Sequence, residues 1–328
     1  MNKGLVKIIG VGSYAPEKIL TNADIEKIVD TSDEWIVTRS GIRERHIASD
    51  DEASSDLGTK AALKAISNAG IAASEIDLII TATITSDMIF PATACFIQKN
   101  LGLKNIAAFD INAACSGFIY ALTIAEQFLK NDAFKTALVI GTEALSKIIN
   151  WKDRATCVLL GDGAGAVVLR KEKGESGILG SFLSADGNYS HLLFMPGGGT
   201  RNPATMDTIN RNLHYFTMSG NETFKVAVPK LYESAVEGLK RCGLTSDDIT
   251  YFVPHQANIR IIQAVAKKLH VPMEKMFVNI GKYGNTSAAT IPIALDEMNQ
   301  AGMLKTGGII ELRGFGAGFT WGSCVIRW

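Results

Sequence analysis

The feature that most constrains this chain of 328 residues is that its first half recurs in its second. Gly70-Ile-Ala-Ala-Ser-Glu-Ile-Asp-Leu-Ile-Ile-Thr81 matches Gly243-Leu-Thr-Ser-Asp-Asp-Ile-Thr-Tyr-Phe-Val-Pro254, and an alanine-rich helical stretch precedes each. Ile97-Gln-Lys-Asn-Leu is echoed by Val265-Ala-Lys-Lys-Leu, Lys135-Thr-Ala-Leu-Val-Ile-Gly by Lys305-Thr-Gly-Gly-Ile-Ile-Glu, and Gly165-Ala-Val-Val-Leu-Arg by Gly322-Ser-Cys-Val-Ile-Arg. A solenoid repeats about every 20–50 residues, so a half-chain period excludes one. The pattern implies two similar α/β halves, 1–173 and 174–328, each alternating strands with helices around a mostly parallel sheet.

Within the first half the most informative stretch is Ile106-Ala-Ala-Phe-Asp-Ile-Asn-Ala-Ala-Cys115-Ser-Gly-Phe-Ile-Tyr-Ala-Leu. It reads as a strand apolar enough to be covered on both faces, a small-residue turn carrying Cys115, and a helix. From Gly117 on, Phe118, Ile119, Ala121, Leu122, Ile124, Ala125, Phe128 and Leu129 leave almost no polar face, so the helix lies in the interior. A cysteine at such a helix start meets unpaired N–H groups and the positive dipole end, which favour the reactive thiolate. The alternative is a packing cysteine, the usual role of a buried thiol.

The repeat supplies candidate partners. In the second half, the strand Tyr251-Phe-Val-Pro ends at His255-Gln-Ala-Asn258. The counterpart of the Cys115 unit is a strand Met276-Phe-Val-Asn-Ile, a turn Gly281-Lys-Tyr-Gly-Asn285-Thr-Ser, and a helix from Ala288. Cys115, His255 and Asn285 therefore fall at strand ends or helix starts, where ligands of open α/β sheets bind. Cys, His and Asn together support nucleophilic acyl chemistry, with backbone donors holding an oxyanion. Taken singly, His255 could be a satisfied loop histidine and Asn285 a turn and cap residue.

Other signals are weaker. Gly10-Val-Gly12-Ser-Tyr-Ala15 resembles a dinucleotide fingerprint, but Pro16 follows and no helix opens there, so it reads as a glycine-rich turn. Gly161-Asp-Gly163 lacks the lysine and helix of a phosphate loop; Cys157 to Arg170 reads as two strands joined by a glycine turn. Thr31 to His46 reads as an amphipathic helix followed by a charged loop, although its tryptophan and arginines could also stack a base and grip phosphates. Residues 195–217, with Pro196-Gly-Gly-Gly, read as a long surface loop. Lys plus Arg equals Asp plus Glu at 33 each, which gives no global attraction to nucleic acid or membrane. Five cysteines without metal-type spacing, and no signal peptide, suggest free thiols in the cytoplasm and no metal site.

Together these motifs resemble β-ketoacyl-acyl-carrier-protein synthase III, an initiating condensing enzyme of the thiolase-fold superfamily. The likeness is carried by Asp33-Glu-Trp35-Ile-Val-Thr-Arg39-Ser-Gly-Ile-Arg-Glu-Arg-His, Asn112-Ala-Ala-Cys115-Ser-Gly-Phe, Gly161-Asp-Gly-Ala-Gly-Ala, Gly220-Asn-Glu-Thr-Phe-Lys225, Pro254-His255-Gln-Ala-Asn258-Ile-Arg260, Gly284-Asn285-Thr-Ser and Gly316-Ala-Gly-Phe-Thr-Trp-Gly-Ser. The resemblance implies a five-layered αβαβα fold and a homodimer without a cofactor, in which acyl-CoA, often acetyl-CoA, acylates Cys115. Malonyl-acyl-carrier protein then loses carbon dioxide while His255 and Asn285 hydrogen-bond its thioester oxygen. That role needs a neutral His255 with its proton on the nitrogen facing the substrate. The backbone amides of Cys115 and Ala317 would form the other oxyanion hole. Trp35, Arg39, Arg154, Gly220 and Asn258 would bind CoA, and Phe90 and Phe315 would shape the acyl pocket, Phe90 that of the partner. Lys225, Arg260 and Lys267 would receive the acidic carrier protein. Many relatives carry glycine where this chain has Ala317, so a positive φ there would strain it. The extended 195–217 stretch could alter the tunnel mouth. A related ketosynthase or acyltransferase of specialised metabolism, using a longer primer, is the alternative; a Cys-His-Asn hydrolase would lack a use for the Trp35 and Arg39 signature.

Overall fold

The computed structural model describes residues 4–328. Its first sheet contains β1 (Leu5–Tyr14), β2 (Leu78–Ala82), β3 (Ala107–Ile111), β4 (Thr136–Glu143) and β5 (Gly163–Glu172) in the order β1-β5-β4-β2-β3. The second contains β6 (Gly177–Ala185), β7 (Tyr251–Pro254), β8 (Ile309–Gly316) and β9 (Thr320–Arg327) in the order β6-β9-β8-β7. The two orders correspond strand for strand along the sequence repeat. Where β3 would have its counterpart, only a parallel bridge between Phe252 and Met276 forms. The expected strand from Met276 to Ile280 is absent because the chain turns at Asn279 into a short helix, Ile280–Tyr283.

The sheets are mixed rather than mostly parallel. β2 is parallel to β3 and β4, and β7 to β8, whereas β5 is antiparallel to β1 and β4, and β9 to β8 and β6. The β8–β9 link, residues 317–319, is too short for the crossover that parallel neighbours require. The β4–β5 link holds only a helical turn at Leu145–Lys147 and the four-residue helix Arg154–Cys157. Cys157 therefore belongs to that helix and not to a strand; Asp153 caps it, its side chain accepting from the Ala155 N–H at 2.9 Å.

Helices α1 (Asp33–Ser40), α2 (Ser54–Ala69), α3 (Thr93–Asn100), α4 (Gly117–Lys130), α5 (Gly220–Arg241), α6 (Ile259–Leu269) and α7 (Thr290–Gln300) complete the framework. α2 and α3 cover the outer face of the first sheet, α4 and α7 lie between the sheets, and α5 with α6 covers the second. The result is five layers, αβαβα. α4 buries Phe118, Ile119, Ala121, Leu122, Ala125 and Leu129, in one apolar core with Leu312 and Ile326 of the second sheet. At about 25 cal/mol per Å2, burying each of the Phe, Ile and Leu side chains contributes roughly 1.5–3 kcal/mol, and only Gln127 and Lys130 near the end of α4 are exposed.

Two expectations about the first sheet change. The Gly10–Ala15 segment is mostly strand, not turn, because its glycines let α2 approach. A Cβ on Gly10 would lie 2.4 Å from the Ala65 carbonyl oxygen, and one on Gly12 2.3 Å from the Ala65 nitrogen. β3 is half-buried throughout, not covered on both faces, because it is the edge strand. No helix among the described residues is long and apolar enough to cross a membrane.

Candidate active site

Cys115 sits in a single 3-10 turn, Ala114–Ser116, between β3 and α4. Ala114 holds φ at 46°, a left-handed conformation that costs a non-glycine residue of order 1–3 kcal/mol. Hydrogen bonds across the sheets hold the turn. The Ser116 and Thr320 hydroxyls are 2.8 Å apart, and each lies 2.8 Å from the Ala113 carbonyl oxygen. The equivalent turn of the second half, Ser287–Ala289 before α7, repeats the geometry, with Ser287 at φ 47°.

Cys115, His255 and Asn285 line one cavity of about 580 Å3, together with Phe315, Ala317 and Ser287. His255 follows β7; its N–H donates to the Arg313 carbonyl at 2.8 Å, and its Nδ1 lies 2.7 Å from Thr290 Oγ1. The Gln256 side chain donates to the Pro254 and Phe277 carbonyls at 2.8 and 3.1 Å, which locks the loop carrying His255. Asn285 Oδ1 accepts the Ser287 N–H at 2.8 Å. That bond assigns the amide oxygen to the turn and leaves the Nδ2 donors for the cavity.

Burial shifts His255, Cys115 and the neighbouring Glu143 toward their uncharged forms. It lowers His255 to about 3, so the imidazole is neutral at any physiological pH, as its expected role as a donor requires. It pushes Glu143, at the end of β4, up to about 7; this carboxylate accepts from Thr85 Oγ1 at 2.6 Å and from the Ile84 N–H at 3.2 Å. The Cys115 thiol is pushed up to about 12, first by burial and further by the negative charge of Glu143, with the neighbouring Ser287 hydroxyl offsetting a part. Burial on the cavity floor therefore opposes the ready thiolate expected from the helix start two residues later.

The cavity mouth holds the other expected residues. Trp35 is on α1, whose cap residue Ser32 accepts the Trp35 N–H at 3.1 Å. The guanidinium groups of Arg39 and Arg154 lie 4.8 and 4.9 Å from the Trp35 ring centre. Arg39 lines the cavity; Arg154 does not, and reaches the site only through that ring. Gly220 at the start of α5, Lys225, Arg260 and Asn258 line the mouth. Asn258 caps α6 by accepting the Arg260 N–H at 2.9 Å.

Lys267 is exposed two turns further along α6, and Phe90 is 81% exposed on the loop after β2; neither lines this cavity. Ala317 is absent from the positive-φ residues, the left-handed position falling on Gly318 at 125°, so the strain anticipated for alanine does not arise. The charged loop expected after α1 is instead fastened by Arg45, which is fully buried and donates to Asn22 Oδ1 at 2.9 Å and to the Val158 carbonyl at 2.8 Å.

Sequence reasoning missed Leu193, Phe216 and Met218, which line the cavity; their only signal was that Phe216 lies in the 195–217 stretch and the other two flank it. It also missed Glu143, whose signal was a lone carboxylate closing an apolar strand, and Thr290, for which the sequence carries no signal beyond its nearness to Asn285.

Two sheets in five layers, with a turn-borne cysteine, a neutral histidine and an oriented asparagine on one closed pocket, define a thiolase-fold condensing enzyme of the acyltransferase class. Residues 109–187 match the family model for 3-oxoacyl-[acyl-carrier-protein] synthase III, and residues 239–328 the model for its C-terminal part. The chain belongs to the β-ketoacyl-[acyl-carrier-protein] synthase III family. It is 55% identical over 321 residues to the protein of that description from Caldanaerobacter subterraneus subsp. tengcongensis, covering 98% of this chain and 97% of the relative. It is 54% identical over 323 residues to that from Clostridium acetobutylicum, covering 98% of each. The crystal structure of 3-oxoacyl-[acyl-carrier-protein] synthase III from Aquifex aeolicus is 49% identical and superposes with a TM-score of 0.92, covering 98% of this chain and 100% of that one.

Proposed function

We propose that the chain initiates fatty acid synthesis by decarboxylating condensation of a short acyl-CoA, acetyl-CoA first, with malonyl-acyl-carrier protein. The observation that carries this reading is the convergence of Cys115, His255 and Asn285 on a cavity whose mouth carries Trp35 and Arg39.

In the first half-reaction Cys115 Sγ attacks the acyl-CoA carbonyl. The carbonyl oxygen takes negative charge against the backbone N–H groups of Cys115 and Ala317. The C–S bond to CoA breaks, and CoA leaves with the proton given up by Cys115. Trp35 stacks on the adenine with Arg154, Arg39 faces the phosphates, and Gly220 and Asn258 border the pantetheine.

In the second half-reaction malonyl-carrier protein enters, guided by Lys225, Arg260 and Lys267. Its carboxylate leaves as carbon dioxide and the bonding pair passes to the thioester enolate, whose oxygen accepts from His255 and from Asn285 Nδ2. The enolate carbon attacks the acyl thioester, and Cys115 leaves as thiolate and regains a proton. A neutral histidine suits this task, because a donor without net charge stabilises the enolate and does not hold the departing carboxylate.

The active unit is a homodimer. Ile89, 84% exposed, and Phe90, 81% exposed, stand on a loop near the half-buried edge strand β3, and a second copy would cover both, with Phe90 closing the partner's acyl pocket.

Intact mass after acetyl-CoA addition tests this. Wild type gains about 42 Da, the acetyl increment of an acyl-enzyme, and C115S does not. Malonyl-carrier protein then discharges it as β-ketoacyl-carrier protein. H255A and N285A keep the acyl-enzyme and lose decarboxylation by roughly 100- to 1,000-fold, the usual cost of one oxyanion donor. An adduct only from longer acyl-CoA moves the primer; no adduct from any acyl-CoA overturns the role of Cys115.

A further inference from the structure

A neutral imidazole carries one N–H, and the nitrogen that holds it decides whether His255 can donate into the cavity or only accept. The fold gives the ring a single hydrogen-bonding contact among the described residues, Thr290 Oγ1 at 2.7 Å from Nδ1. Thr290 stands at the start of α7, buried at 3% exposure, and does not line the cavity. His255 itself lines that cavity with Cys115 and Asn285, so the ring nitrogen not held by Thr290, Nε2, is the one available to it.

The Thr290 hydroxyl has one proton and lies 2.7 Å from His255 Nδ1, which accepts or donates according to its tautomer, and 3.0 Å from the Ser287 carbonyl, which can only accept. The Ser287 carbonyl already accepts the Thr290 backbone N–H. A proton on Nδ1 would donate to this hydroxyl, which would pass its own to the Ser287 carbonyl; a proton on Nε2 leaves Nδ1 to accept from the hydroxyl, the one donor within reach of it among the described residues. The condensing reading needs the donor at Nε2 and so selects the second arrangement.

We propose that Thr290 is a positioning residue of the condensation step: its hydroxyl donates to His255 Nδ1, which fixes the histidine N–H on Nε2 and aims it at the enolate oxygen. The proposal rests on the condensing reading of the site and adds to it the device that sets the tautomer. The device is specific to one half-reaction. Cys115 acylation uses backbone amides for its oxyanion and is indifferent to where the histidine proton lies, whereas decarboxylation needs a donor at Nε2.

The test compares T290V, which keeps the branched shape without the hydroxyl, with T290S, which keeps the hydroxyl, in the full-length protein. Cys115 acylation by acetyl-CoA and carbon dioxide release from malonyl-carrier protein are followed separately. T290V should acylate at the wild-type rate and release carbon dioxide about tenfold more slowly or worse, the loss expected for one buried hydrogen bond; T290S should restore release. In 15N-histidine-labelled wild type, the His255 signal, identified by its absence in H255A, should show Nε2 protonated and Nδ1 bare. Protonation at Nδ1 would overturn the proposal, as would a T290V protein with unimpaired release or a T290S protein as slow as T290V. Should wild type form no acyl-enzyme at all, the condensing reading fails by itself, and the nitrogen spectrum still decides the tautomer.

Discussion

Gly316, the last residue of β8, stands against the backbone nitrogen of Cys115 so closely that a Cβ placed on it would lie 2.5 Å from that nitrogen and 3.0 Å from the Ala114 Cβ. The amide that would hold an oxyanion is thus walled by a residue from the other sheet. G316A must push the nucleophile turn away or bend β8. Overpacking of this kind costs about 1–3 kcal/mol, and misplacing an oxyanion donor costs roughly 100-fold or more in turnover. Thermal unfolding and acetylation kinetics read the two effects. G187A, where a Cβ would meet nothing within 4 Å, should change neither; equal damage from both would sink the packing argument.

The raised thiol makes a prediction about pH. With Cys115 pushed up to about 12, the thiolate fraction of the free enzyme rises tenfold per pH unit across the working range. Alkylation of Cys115 by iodoacetamide should therefore climb without a plateau from pH 6 to pH 10. His255, lowered to about 3, stays neutral over that span and contributes no inflection. A plateau below pH 8 would mean that helix and turn dipoles overcome the burial.

Trp35 is flanked by Arg39 and Arg154 at 4.8 and 4.9 Å, and the proposed function gives its ring the adenine to stack on. W35A should raise KM for acetyl-CoA by roughly 5- to 150-fold, the worth of one stacked base at 1–3 kcal/mol, with kcat little changed. The same variant should accept acetyl-pantetheine, which lacks the nucleotide, as well as wild type does. Equal losses on both donors would remove Trp35 from nucleotide binding.

Lys225 and Arg260 line the cavity mouth, whereas Lys267 lies outside it. Against an acidic carrier protein, K225E and R260E should each raise KM several-fold and weaken its dependence on salt, because rim charges act chiefly on encounter. K267E should have the smaller effect. Steady-state titrations with malonyl-carrier protein at two ionic strengths separate these outcomes, and identical behaviour of all three variants would make the patch a diffuse field instead of a docking mouth.

Much of this site was legible in the chain because the repeat is a statement about topology. Once Gly70–Thr81 and Gly243–Pro254 are equivalent, their strands must occupy equivalent places. They do, in the matching orders β1-β5-β4-β2 and β6-β9-β8-β7. Cys115, His255 and Asn285 then fall on corresponding ends, and short-range patterns suffice to place them there: an apolar run, a small-residue turn, an interior helix. Local patterns carried less where the deciding contact is distant. The Gly10–Ala15 segment looks like a turn until α2 is laid against it, and Arg45 looks like loop charge until Asn22 and the Val158 carbonyl are found around its guanidinium.

What the sequence by itself determined is the family and the strand and helix ends that carry the candidate residues Cys115, His255 and Asn285, because each of these is written in residue type and spacing. What only the tertiary structure decided is the chemical state of those side chains. Whether Cys115 is thiol or thiolate depends on how completely water is shut out of the cavity floor. Whether His255 donates or accepts depends on a hydroxyl 2.7 Å from Nδ1, supplied by a residue 35 positions away. Desolvation and the direction of a hydrogen bond belong to the enclosing set of atoms, and no single stretch of chain contains that set.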